Sequence, residues 1–173
     1  GLIRTFQTSR ELGGMTVLEN MLVPAPEQVG EGLFNAMFRP GVGHRQDRVL
    51  VERALERLDD FGLYDSRDQY ARNLSGGQKR LLEIMRSLMA EPKLLLLDEP
   101  MAGVNPTLAR RIEGHLQDLN DAGLTMLMVE HELGVVERLC THVIVMAQGK
   151  VISEGTLETL RTNQEVLDAY LVG

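Results

Sequence analysis

Four consecutive leucines, Leu94 to Leu97, followed at once by Asp98, Glu99 and Pro100, constrain this 173-residue chain more than any other stretch. A run so apolar and so short suits a strand buried on both faces of a parallel sheet. Two acids at its tip are costly unless they face a metal, a water or a polar cleft. Open α/β sheets place ligand chemistry just there, beyond the carboxyl ends of their strands. Neighbouring strand residues point to opposite sides, so one acid can hold a cation while the other orients or deprotonates a water. In isolation, a solvated acidic turn would look the same.

The segments on either side sharpen the reading. Upstream, Ser75 can cap a helix, and Gly76 and Gly77 leave its first backbone N–H groups uncovered by side chains. The helix carries Leu81, Leu82, Ile84, Met85, Leu88 and Met89 on a broad apolar face, with Gln78, Lys79, Arg80 and Arg86 mainly elsewhere, and ends before Pro92. Such a bare, partly positive helix start can receive a phosphate, although an ordinary glycine-softened loop reads the same alone. Downstream, Asn105 and Pro106 supply an N-cap and first turn for a helix to Asn120, and a second apolar strand covers Leu124 to Val129. Strand, helix and strand make a βαβ unit, which predicts parallel pairing through a right-handed crossover. Glu130 and His131 are then expected at the same sheet edge as Asp98 and Glu99.

Elsewhere, Thr16 and Glu19 form a capping box for a helix over Val17 to Leu22. A Pro- and Gly-rich loop follows from Pro24 to Gly43, with one helical turn over Leu33 to Phe38. There Phe34, Met37 and Phe38 can pack in the core or form an exposed docking cluster. A helix over Gln46 to Phe61 is stopped by Gly62. After His131 the pattern predicts a helix from Glu132 to Cys140, a hairpin turning at Gln148-Gly149, and two short helices to Val172. With 43% hydrophobic and 25% charged residues the composition is that of a soluble globular domain, and no apolar run approaches the roughly 20 residues that span a bilayer. A net charge of −7, with 18 basic residues interspersed among 25 acids, gives no basic stripe and argues against nucleic-acid binding. The single cysteine, Cys140, excludes an intrachain disulfide and reads as a buried thiol in a reducing compartment.

LSGGQ at Leu74 to Gln78 and LLLLDEP at Leu94 to Pro100 together resemble the signature and Walker B motifs of ATP-binding-cassette (ABC) ATPases. Gln7, in RTFQ, resembles the Q-loop glutamine; Ala102 to Asn105 resembles the D-loop; His131, closing TMLMVEH, resembles the switch histidine. The resemblance implies an α/β fold, a partial P-loop NTPase core with parallel strands, a helical subdomain and a C-terminal β-hairpin. Its parts would be the Q-loop end of the core (1–10), the helical subdomain with the signature (11–90), the Walker B, D-loop and switch part (91–155) and C-terminal helices (156–173). By the same resemblance Glu99 is the general base, Asp98 holds Mg²⁺ through water, Gln7 contacts the Mg²⁺ or the attacking water, and His131 meets the γ-phosphate of ATP. Ser75, Gly76, Gly77 and Gln78 would close over the ATP of a second ATPase subunit. Asn105 departs from the Asp that many members carry, but still caps its helix. Partners implied are that second subunit, transmembrane permease subunits at the cytoplasmic face of the membrane and, through them, a solute-binding protein.

No G-x-x-x-x-G-K-[ST] phosphate loop occurs. Gly149-Lys150 comes nearest, with Ile144 and Val151 where Gly and Ser or Thr are needed. The resemblance begins at the Q-loop, which predicts a C-terminal portion of a cassette, inactive by itself. It also predicts that the strand of Leu94 to Leu97 has one or both edges unpaired and therefore open to association. RTFQ before MTVLENMLV, the insert GLFNAMFRP, DEPMAGVNP and the ending EVLDAYLVG resemble branched-chain amino acid importer ATPases. Urea-transport and lipopolysaccharide-export cassettes, or a catalytically silent interaction fragment, are the alternatives.

Overall fold

A computed structural model describes residues 1–4, 12–24 and 44–172, and the chain divides into two compact units, Gly1–Val129 and Glu130–Gly173. Gln7 and the helical turn expected around Phe34, Met37 and Phe38 lie outside the described residues.

The first unit is built on a parallel sheet in the order β1-β2-β3, with β1 at Leu2–Arg4, β2 at Leu94–Asp98 and β3 at Thr125–Val129. The leucine run is the middle strand. Leu94 to Leu96 pair with Leu2 to Arg4 on one edge, and Leu94 to Asp98 pair with Thr125 to Val129 on the other. The expectation of an unpaired edge on this strand is therefore wrong: the short segment at the start of the chain suffices to fill it. Burial on both faces also needs correction. Leu95 and Leu97 are fully enclosed, but Leu94 and Leu96 on the opposite face are half-buried. On β3 that same face leaves Leu127 and Val129 54% and 60% exposed.

Four principal helices complete this unit: α1 (Val17–Leu22), α2 (His44–Asp60), α3 (Gly76–Met89) and α4 (Pro106–Asp121). α1 packs against both α2 and α3. The Thr16–Glu19 capping box forms as its sequence predicts. α2 ends where Gly62 turns left-handed at φ +70°, with the Leu63 N–H reaching back to the Leu58 carbonyl. The Arg111 guanidinium lies over Gly62 and would have to swing aside for a Cβ, so the left-handed φ is what calls for glycine here. Near this junction the Phe61 ring stacks on His115 of α4 with centroids 4.0 Å apart. The apolar face of α3 is buried throughout, and Val17, Met21, Ala54, Leu58, Ile112 and Leu116 are fully enclosed.

Asn20, also fully enclosed, was not singled out by its sequence pattern. Its Oδ1 accepts from the Leu12 N–H at 2.9 Å, while its Nδ2 donates to the Leu12 carbonyl at 3.1 Å and the Thr16 carbonyl at 2.9 Å. It thereby ties residues 12–16 to the first helix.

The second unit carries α5 (Leu133–Leu139), an antiparallel hairpin of β4 (Val143–Ala147) and β5 (Lys150–Gly155), and the short helices α6 (Leu157–Leu160) and α7 (Gln164–Val172). Gln148 and Gly149 both take positive φ, +48° and +76°, which is the mirror-image turn that two-residue hairpins favour. Cys140 is half-buried rather than enclosed; burial and the nearby Glu130 charge hold its thiol above the ordinary range. A bidentate ion pair joins Arg161 to Glu137 across the exposed surface.

Two outcomes follow. Asn20→Leu leaves the Leu12 N–H and carbonyl without their partner in a closed site and is expected to cost about 2–3 kcal/mol in urea unfolding. For His115, burial and then the Arg111 charge lower the pKa from 6.5, so below pH 6.5 the unfolded chain takes up a proton that the folded chain resists. Its contribution to stability is complete above that pH and is lost as pH falls below it. Urea midpoints measured from pH 7.5 to 5 should decline less steeply for His115→Phe than for the unsubstituted chain.

Candidate functional site: an acid pair at a strand end and a capped helix tip

The register that sets Asp98 beside Val129 brings the carboxyl ends of β2 and β3 level with each other. Asp98 closes β2, half-buried, and its Oδ2 lies 3.3 Å from Nη2 of Arg4 on the neighbouring strand. With 58% of the Arg4 side chain in water, this pair contributes little to stability. Glu99 is not a strand residue. Its φ of +44° is left-handed, and its N–H still donates to the Val129 carbonyl at 2.9 Å. Strand alternation therefore does not separate the two acids, as the sequence suggested; a tight left-handed step does. For a non-glycine residue such a conformation costs about 1–3 kcal/mol and persists only where the surroundings impose it.

Part of that imposition comes from α3. The Arg80 guanidinium donates Nε–H to the Pro100 carbonyl at 3.3 Å and Nη2–H to the Glu99 carbonyl at 3.0 Å, and also bonds the Asp98 carbonyl through Nη2. Its Nη1 meets Oε2 of Glu83 at 2.7 Å. Both side chains are buried, although the sequence set Arg80 away from the apolar face of its helix. Three-residue spacing of opposite charges on one helix was the available signal.

At the tip of α3 the expected cap is present and more elaborate. Ser75 Oγ accepts from the Gln78 N–H at 3.3 Å, and Gln78 Oε1 accepts from the Ser75 N–H at 3.0 Å. The Gln78 side chain thus folds back on the tip. The two glycines differ: a Cβ on Gly76 would meet nothing within 4 Å, whereas one on Gly77 would lie 2.7 Å from Leu108 Cδ2. Gly77 is there to let α4 approach, while Gly76 keeps an open approach to the backbone. Asn105 caps α4 as expected, its Oδ1 accepting from the Leu108 N–H at 3.0 Å. Between the two helix tips lies a cavity of about 380 Å³ lined by Ser75, Gln78, Asn105, Thr107, Leu108 and Arg111.

Asp98, Glu99, Ser75, Gly76, Gly77, Gln78 and Asn105 therefore all belong to the first unit. His131 belongs to the second, exposed, two residues beyond β3, with its backbone N–H donating to Glu130 Oε2 at 3.1 Å. The hard carboxylate oxygens of Asp98 suit Mg²⁺, which takes one or two carboxylates and completes its shell with water and phosphate. No cluster of three or more His, Cys, Asp or Glu able to hold a metal occurs among the described residues. The donor set fits a cation shared with a phosphate ligand, not an all-protein cage.

Residues 2–102 match the ABC transporter family. The chain belongs to that family. It is 42% identical over 171 residues to the probable branched-chain amino acid transport ATP-binding protein LivG of Archaeoglobus fulgidus, covering 99% of this chain and 65% of the relative. Against the high-affinity branched-chain amino acid transport ATP-binding protein LivG of Escherichia coli, identity is 36% over 172 residues, covering 99% and 68%. The fold of an ATP-binding cassette of an ABC transporter, solved in its ADP conformation, superposes with a TM-score of 0.78 at 36% identity, covering all of this ABC chain and 69% of that one. The partial cassette fold expected from the motifs is thus the observed one. No helix among the described residues is long and apolar enough to cross a membrane.

The contrast between the two glycines is testable. Gly77→Ala should destabilise the ABC chain by about 1–3 kcal/mol through its clash with Leu108, and Leu108→Ala should relieve part of that loss. Gly76→Ala should leave the thermal midpoint unchanged or raise it.

Proposed function

We propose that this chain is part of the ATP-hydrolysing subunit of an ABC importer for branched-chain amino acids. The observation that carries the reading is the arrangement in the first unit: an acid pair at the carboxyl end of the central strand, held through Arg80 by the helix whose capped tip leaves open space at Gly76. The relatives, ATP-binding proteins of branched-chain amino acid transport, supply the nucleotide and the cargo class.

When bound, MgATP supplies a terminal phosphoryl group that is transferred to water. Glu99 accepts the proton of that water as general base, its side chain departing from the left-handed step. Asp98 holds the cation side of the site, with Gln7 assisting, and His131 orients the phosphate. Ser75, Gly76 and Gly77 close over the nucleotide of a second ATPase subunit, and Gln78 and Asn105 shape that tip, so turnover requires the two subunits to close. The pair works peripherally at the cytoplasmic face of the membrane against permease subunits, which receive cargo from a solute-binding protein.

The 173 residues contain no G-x-x-x-x-G-K-[ST] motif. This favours a second statement: alone, the chain is silent in hydrolysis, and turnover needs a phosphate loop supplied with it. Titration with MgATP should show weak or no binding to this chain and tight binding once such a segment is joined to it; tight binding by the chain alone would overturn the statement. In the joined protein, Glu99→Gln should lower kcat by about 10²-fold or more while MgATP still binds. Unchanged turnover would remove Glu99 as the base.

A further inference from the structure

We propose that Arg80 is a positioning residue for the acid pair, holding the backbone of Asp98, Glu99 and Pro100 in place from the signature helix. The inference rests on the reading of Glu99 as the base. Arg80 and Glu83 are each only 4% exposed. A buried ion pair contributes little net stability, because desolvating both charges offsets their attraction, and well-packed apolar replacements of similar volume are often as stable or more so. Its value here lies in direction. One guanidinium bonds three successive carbonyls, those of Asp98, Glu99 and Pro100, and leaves Nη1 for Glu83. The planar fork fixes distance and angle together, which a lysine ammonium or a neutral side chain does not.

The residue so held is the one with strained geometry. Glu99 sits at φ +44°, and that torsion sets the direction in which its Cα–Cβ bond leaves the turn. Arg80 lies five residues beyond Ser75 in the chain, on the helix whose tip Ser75 caps. The same rigid element thus carries the tip that would meet one nucleotide and the clamp that aims the base at another. A tilt of α3 changes the pull on the Glu99 carbonyl, so closure on one nucleotide is transmitted to the acid pair. Glu83 keeps the fork in plane by holding Nη1.

Two measurements test this. In the intact ATPase that includes this chain, Arg80→Lys and the charge-free pair Arg80→Met/Glu83→Leu should lower kcat by at least about 10-fold, with KM for MgATP within about 3-fold, since misplacing a catalytic group affects the chemical step more than binding. The paired variant removes both charges of the ion pair together but also leaves three carbonyls without their guanidinium donor, so it is expected to melt several degrees lower yet stay folded at assay temperature, and it carries the test if Arg80→Lys fails to fold. The second measurement needs no turnover. Amide hydrogen exchange in the chain itself should quicken by about 10-fold or more at Glu99 and Ala102, whose N–H groups donate to Val129 and Glu99, with little change along β3. A folded variant that retains turnover within about twofold and exchanges these amides at the original rate would overturn the proposal. If the unsubstituted ATPase fails to hydrolyse ATP, the reading of Glu99 as base falls, while amide exchange still decides the role of Arg80.

Discussion

Backbone pairing on both edges of β2 is the constraint from which the rest of the first unit follows. A strand of four leucines has no polar side chain through which to satisfy its amides, so both ladders must be filled by other strands. β1 does this over three residues and β3 over five. Because both ladders are parallel, β2 and β3 end at one edge, and the first polar residues after the leucines emerge there. The position of Asp98 is thus a consequence of hydrogen-bond register. That of Glu99 is not, since the chain has already left the ladder and turned left-handed.

What holds the departing turn is a helix from an earlier part of the chain. α3 meets it in two chemically different ways: the Arg80 fork grips carbonyls, and Gly77 lets Leu108 at the start of α4 come close. One contact is polar and directional, the other short-range and steric. Together they set the helix tip relative to the acids without a long apolar interface at that point, and the cavity between the tips of α3 and α4 is the space left over.

Much of this was legible in the sequence because the relevant signals are local. The Thr16 box, the Ser75 and Asn105 caps, the Gly62 stop and the Gln148-Gly149 turn all depend on residues within a few positions of one another, and each formed as its pattern predicts. What escaped depends on partners far apart in the chain. Arg80 looks like a surface cation until the carbonyls 18 to 20 residues away are placed beside it. Periodicity could not show that the leucine strand is dry on only one face, since four identical residues carry no alternation. The division of labour between Gly76 and Gly77 needed the position of Leu108. The motifs did place both acids at a strand end, but read Glu99 as part of the strand when it belongs to the turn.

Only one of the sheet's two faces is dry. Leu2, Leu127 and Val129, lying 61%, 54% and 60% exposed, share the other side with Arg4, Asp98 and Thr125 and leave greasy patches among those polar groups open to solvent. Patches of this kind make a polypeptide behave like a surfactant, crowding at air–water boundaries and sticking to its own copies as concentration rises. Salts that strengthen water's cohesion should worsen this, because they are excluded from the protein surface and so favour covering its exposed apolar parts. Handling this chain is therefore a problem of colloids as much as of folding.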